Sequence, residues 1–300
     1  AILLFGAGGP ELRTIGDPHT GYLVMAVVAG IVIAVGMLIA STVAPRGPRL
    51  TDPQRTPIVD GYREGIAAIR RSAPFRALLG VFLLQAVATG LMLAGANYVA
   101  VWVMRSDDAL IFLFVALIAP AILFSPIWNA ISRRVGKERA FAAASIMFSV
   151  ATASLVGAIW APGVWMYASV GLAGAAYAGM QALPMAMLPD VISHDARISG
   201  RSRAGVFGGV WTAGETTGMA IGAAALTAIL TITGYRESVA GVDVEQPTEA
   251  VTGIAVSFGI VPAVLTLASL IFLARYRLRR SDIDEAPTTP AATSTGAVSA

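Results

Sequence analysis

The stretch that decides the fold runs Ala109-Leu-Ile-Phe-Leu-Phe-Val-Ala-Leu-Ile-Ala-Pro-Ala-Ile-Leu-Phe-Ser-Pro-Ile-Trp-Asn-Ala-Ile131 and then Ser132-Arg-Arg-Val-Gly-Lys-Glu-Arg139. More than twenty residues pass without a charge, and four basic residues follow within seven positions. An apolar run of that length matches the ~20 residues a helix needs to cross a ~30 Å hydrocarbon layer. In lipid the backbone must satisfy its own hydrogen bonds, so the run is read as a helix. Pro120 and Pro126 do not argue against this, because neighbouring membrane helices re-satisfy the freed groups.

Working outward, the same pattern recurs. Runs of spanning length lie at Gly21–Ala44, Ala77–Met104, Ala140–Trp160, Gly163–Leu188, Ala204–Gly234 and Val251–Ala274. With Ala109–Ile131 they predict seven full spans. The ~10-residue alternating segments of a membrane β-barrel are absent. The chain is 56% hydrophobic and 13% charged, against about 25% charge in a soluble domain. That excess suits a lipid-facing surface. The expected class is an all-α polytopic membrane helix bundle, with the lipid bilayer as its first partner.

If each span crosses once, the loops fall into two sets. Of 21 basic residues, only Arg13, Arg105 and Arg236 lie in one set. By the positive-inside rule the other set is cytoplasmic. It includes the polar connection 45–75 and the C-terminus. Within that connection Tyr62, Ile66 and Ile69 oppose Arg63, Glu64 and Arg70, which predicts a short amphipathic helix at the membrane surface. Residues 276–300 carry Thr, Ala, Ser, Pro and acids, and are expected to be disordered. The opening run 1–10 is too short to span, and reads as the end of a preceding helix.

Several chemistries find no support. There is no cysteine and there are only two histidines, so no metal site is expected. No nucleophile elbow or phosphate-binding glycine loop appears, and an enzyme is not the expected reading. No cofactor is called for beyond a coupling proton or sodium ion, and no nucleic-acid partner is expected.

Glu215 is the ionisable side chain in the middle of a span, and it decides the functional reading. A carboxylate there costs a few kcal/mol, so it faces a cavity, an ion path or a partner helix. It is either a coupling or substrate-binding acid or a structural one. Gly214, Gly218 and Gly222 recur every fourth residue beside it and allow close helix approach. On the Gly163–Leu188 run, Tyr167, Gly171, Gly174, Tyr177 and Gln181 share a face and could wall a cavity. Gln85, Thr89 and, further along, Asn97 supply uncharged polar groups on another span. They suit either a sugar-like ligand or interhelical hydrogen bonds. Trp102, Trp128, Trp160 and Trp165 read as interfacial anchors. Asp190 and Asp195, followed by Arg201 and Arg203, combine acids and arginines over one basic loop and could form a cytoplasmic gate of ion pairs.

That loop also carries a resemblance. Pro189-Asp190-Val191, Asp195, Gly200-Arg201, Gly205 and Gly208 to Gly214 with Trp211-Thr212 resemble the segment between helices ten and eleven of the glycoside–pentoside–hexuronide:cation symporters. These are sugar permeases of the melibiose type within the major facilitator superfamily. Ser132 to Arg139 resembles their loop between helices eight and nine, Arg70 to Arg76 the lead-in to helix seven, and Gly234-Tyr235 the end of helix eleven. The resemblance implies a major facilitator fold lacking about its first five helices. Residues 1–44 would then end the N-terminal half, 45–75 would be the central loop, and 76–275 the C-terminal six-helix half. Helices preceding this chain would complete the site. It further implies sugar:cation symport by alternating access at the plasma membrane, with Glu215, Gln181, Tyr177, Gln85 and Asn97 near the pathway. Those permeases carry a lysine in helix eleven, at or near the place of Glu215. A facilitator for a lipid-like or drug-like substrate, or a truncated non-transporting membrane protein, stands as the alternative.

Overall fold

A computed structural model describes residues 18–43, 63, 66–67, 69–106, 108–199, 203–237 and 245–276. It divides into two units, residues 1–56 and 57–300. In the first, the described residues form one helix, α1 (Pro18–Val43), which is apolar almost throughout. No charged side chain interrupts it, and its length suffices to cross a bilayer.

The second unit is a bundle whose described regular elements are all helical. Its helices are α2 (Ala73–Tyr98), α3 (Ala109–Val135), α4 (Lys137–Ser154), α5 (Trp165–Ser199), α6 (Ala204–Ile232), α7 (Thr248–Phe258) and α8 (Ile260–Leu273). A π-helical turn, Val99–Val103, extends α2, and a 3-10 turn, Leu155–Ile159, extends α4. Only Gly259 separates α7 from α8, so the two make one interrupted span. Ahead of α2, the described residues among 63–71 are helical, with Ile69 packed on the core and Ile66 exposed. Tyr62 and Glu64, also assigned to the amphipathic helix, lie outside the described residues.

Local sequence sets the helix ends. The Ser72 hydroxyl accepts the Phe75 N–H at 3.3 Å and caps α2, while Pro74 occupies its first turn. At Gly136 φ is +93°, a conformation that costs any residue with a Cβ. It turns the chain between α3 and α4 with no intervening loop. Arg133 and Arg134 sit in the last turn of α3 and Glu138 in the first turn of α4, each on the side the helix dipoles favour. Gly234, at φ +72°, ends α6 and lets the Tyr235 N–H return to the Leu230 carbonyl at 2.9 Å.

Packing follows small residues. α2 runs along α6 and α8, α3 along α5, and α4 lies between α5 and α8. A Cβ on Gly222 would overlap the Val87 carbonyl, and one on Gly90 the Met219 carbonyl. The α2 and α6 backbones therefore touch, as the spacing of Gly218 and Gly222 led us to expect. Phe82 stacks on Trp211 at 4.0 Å and Phe75 meets Phe207 edge-on at 4.6 Å along the same seam. On the other side, Gly174 lies against the Leu117 carbonyl and joins α5 to α3.

Two expectations change. Trp128 is not an interfacial anchor. It is buried, donates its indole N–H to the Ala175 carbonyl at 2.7 Å, and covers Gly179. The missing Cβ of Gly179 makes the room that draws the indole inward. Six described helices, not seven, are long and apolar enough to cross a membrane, and α5 is the one that falls short. α5 is packed on both α3 and α4. A helix covered by protein need not be as apolar as one facing lipid, so it can carry Tyr177, Gln181, Asp190 and Asp195. Its 35 residues extend about 50 Å at 1.5 Å per residue, enough to cross and project beyond.

Candidate functional site

Three helices each aim a pair of residues one turn apart into a common pocket. α2 supplies Gln85 and Thr89, α5 supplies Tyr177 and Gln181, and α6 supplies Glu215 and Met219. Side chains at i and i+4 stand one above the other on the same helix face, which is why each helix contributes a pair. Phe82, Ala86 and Met180 complete the lining, around a volume of about 300 Å³. Glu215, Gln181, Tyr177 and Gln85, which come from spans far apart in sequence, thus line one pocket.

Their hydrogen bonds give them different tasks. The Gln181 amide N–H donates to the Tyr177 hydroxyl at 2.6 Å. That contact leaves the Gln181 amide oxygen as an acceptor and the Tyr177 O–H as a donor. No hydrogen bond or ion pair engages Glu215 among the described residues, and its side chain is half-buried. With the Thr89 hydroxyl, the pocket therefore offers both hydrogen-bond donors and acceptors. Gln85 differs. It is buried, and its amide N–H groups reach Ser145 of α4 at 2.9 Å and Ser269 of α8 at 3.2 Å. Its stem lines the pocket while its amide ties three helices together. The Gln85 amide oxygen and the Thr266 hydroxyl are buried without a protein partner. Asn97 lies two turns beyond Thr89 on α2, is exposed, and is not among the pocket's lining residues.

A second, apolar chamber of about 560 Å³ adjoins the first and shares Thr89 and Tyr177 with it. Its walls include Met92, Leu93, Phe114, Leu117 and Phe258. Among the described residues no three or more His, Cys, Asp or Glu side chains cluster as a metal site would require.

The acids expected at the gate are paired, though with partners other than the nearby arginines. Asp195, 4% exposed, takes the Arg71 guanidinium through contacts of 2.7, 3.0 and 3.2 Å. Asp190 takes the Lys137 ammonium at 2.5 Å, and Lys137 also donates to the Ala186 carbonyl at 2.9 Å. These pairs tie the lead-in to α2 and the start of α4 to the far end of α5. Arg201 lies outside the described residues. Arg203 precedes α6, where its carbonyl accepts the Val206 and Phe207 N–H groups, and no ion pair involves it among the described residues. Sequence proximity pointed to Arg201 and Arg203, whereas helix packing brings in Arg71 and Lys137 from distant segments. Both stand in motifs that carry the resemblance, which was the available signal. Just past α8, Tyr276 is buried at this end. Burial pushes its phenol above the usual range, and the nearby Asp190 and Glu138 carboxylates add to the shift.

At the opposite end, Trp102 donates to the Tyr235 hydroxyl at 3.2 Å, and Tyr98 meets the same ring edge-on. Gln246 bonds both the N–H and the C=O of Arg236.

No curated protein matches the sequence. The family model described as MFS/sugar transport protein matches residues 1–280. That match covers nearly the whole chain, and the all-helical bundle with its membrane-length helices agrees with it. The chain belongs to this family, and is a multi-pass membrane transporter of the major facilitator superfamily.

Proposed function

We propose that the protein carries a sugar or glycoside across the plasma membrane by cation-coupled symport, through alternating access at the Tyr177–Gln181–Glu215 pocket. One observation carries the reading: three helices converge hydrogen-bonding residues from separate spans on a single pocket. Hydroxyl-rich solutes are recognised by such mixed donor and acceptor sets. In alternating access the two ends open in turn around a fixed midplane site. The Arg71–Asp195 and Lys137–Asp190 pairs would secure the basic end, and the charge asymmetry of the loops supports a cytoplasmic side for it.

Glu215 is the residue through which we propose the coupling cation, a proton or sodium ion, acts. Purified protein in proteoliposomes tests this by uptake of labelled methyl glycosides, with and without an imposed proton or sodium gradient. The wild type should accumulate substrate against its gradient. Glu215→Gln should lose accumulation yet retain substrate exchange at equal concentrations. Full coupled accumulation by Glu215→Gln would remove the coupling role.

A further inference from the structure

Several hydroxyls buried inside the bundle turn back on their own helices. Ser149 and Thr152 on α4 donate to the Ser145 and Phe148 carbonyls at 2.9 Å, and Ser269 on α8 donates to the Thr266 carbonyl at 2.6 Å. The Thr266 hydroxyl makes no such return. It is fully buried, on the turn of α8 before Ser269. The Gln85 amide comes to the same place from α2, with its N–H groups on Ser145 and Ser269 and its oxygen without a protein partner. Side chains three apart on a helix have Cβ atoms about 5–6 Å apart. The two unpaired oxygens therefore belong to one node between α2, α4 and α8. Turning the amide over would not settle them. Ser269 spends its hydrogen on the Thr266 carbonyl, so an amide oxygen facing Ser269 would meet a second acceptor.

The geometry points to a binding site for one water at this node, donating an O–H to Gln85 Oε1 and accepting the Thr266 O–H. A water reaches about 2.8 Å to each partner, so a single molecule spans the separation that one helical turn sets. Internal waters take two to four polar partners, at places where buried polar groups are otherwise unsatisfied. The charge of the node fits as well. Gln85, Ser145, Thr266 and Ser269 are all neutral, whereas a bare cation would lose its hydration with no carboxylate among them to replace it. The consequence is mechanical. Gln85 also lines the transport pocket, so the water sits one side chain behind the pocket wall. It ties α2 to α8, the second half of the span that Gly259 interrupts. The site does not depend on which solute the pocket carries.

Thr266→Val nearly keeps the shape of the side chain and removes the hydroxyl. In the purified protein it should lower the melting temperature by about 2–4 °C, because the water loses a partner and Gln85 Oε1 its bridge. In the Gln85→Leu background, where the water has already lost one partner, the same change should cost less than half as much. A structure of the wild-type protein fine enough to show ordered waters should place one within about 3.2 Å of both atoms. That measurement decides even where a variant fails to fold, and the lack of a water peak between the two atoms would overturn the inference. A melting temperature raised by Thr266→Val would do the same, since that is the response of a dry, unpaired hydroxyl. Fully additive losses in the two variants would also overturn it, because they would give each atom a partner of its own. A melting temperature that rises with sodium in wild type but not in Thr266→Val would put a cation at the node in place of the water.

Discussion

Gln85 and Glu215 look alike in the sequence, as polar side chains inside apolar runs, yet the structure separates them. Gln85 is buried with its amide N–H groups spent on Ser145 and Ser269, while Glu215 lines the pocket and engages no such bond among the described residues. Composition could show that each is costly in a membrane, and therefore placed for a reason. It could not show which reason applies, because that depends on residues 60 and 184 positions away. Gln85→Leu should consequently lower the melting temperature of the purified protein, by the ~1–2 kcal/mol expected when Ser145 and Ser269 lose a buried partner. The KM for methyl glycosides should change less than threefold. A tenfold rise in KM at unchanged stability would instead place the Gln85 amide on the pathway. Trp128 teaches the same lesson: its position near a run's end suggested the interface, and the absent Cβ of Gly179 drew it inside.

At the scale of the helices, regular spacing was the most legible signal. The glycines of α6 announced a close contact, and α2 supplies it. Gly222→Val should be among the most damaging single changes, since its side chain would collide with backbone atoms of Val87, Gly90 and Leu91. We expect a loss of ~3 kcal/mol or more, read as poor yield and a sharply lowered melting temperature. Normal yield and melting would contradict the α2–α6 seam. α5 was harder to read, because its Gly, Tyr and Gln content places it below lipid-facing apolarity while its packing keeps it inside the bundle. The ion pairs at its far end were legible only in part. The acids stood out, and their partners did not. Removing the Asp195 charge with Asp195→Asn should destabilise the protein by ~1–3 kcal/mol, a figure kept modest because Arg71 is 39% exposed. In a double-mutant cycle with Arg71→Gln, the two effects should be clearly less than additive. Simple additivity would show that the pair contributes nothing of its own.

For the whole molecule, polar chemistry falls at two levels. Ion pairs bind the basic end, and hydrogen-bonding groups from three helices meet midway along the bundle. Hydropathy was enough to point to a helical membrane protein. The pocket itself needed the pairing of helices, which no single span records. The central claim is that this pocket holds the substrate, and the chain makes the claim directly accessible because it contains no cysteine. Thr89→Cys places one thiol where the pocket and the chamber meet. Its labelling by a small, membrane-impermeant thiosulfonate is then followed in transport-competent proteoliposomes, with and without saturating methyl glycoside. The account predicts that the thiol is labelled and that the glycoside slows labelling at least fivefold, with half-protection at the concentration that half-inhibits uptake. Labelling at the same rate with and without glycoside, in protein that still transports it, would contradict the account.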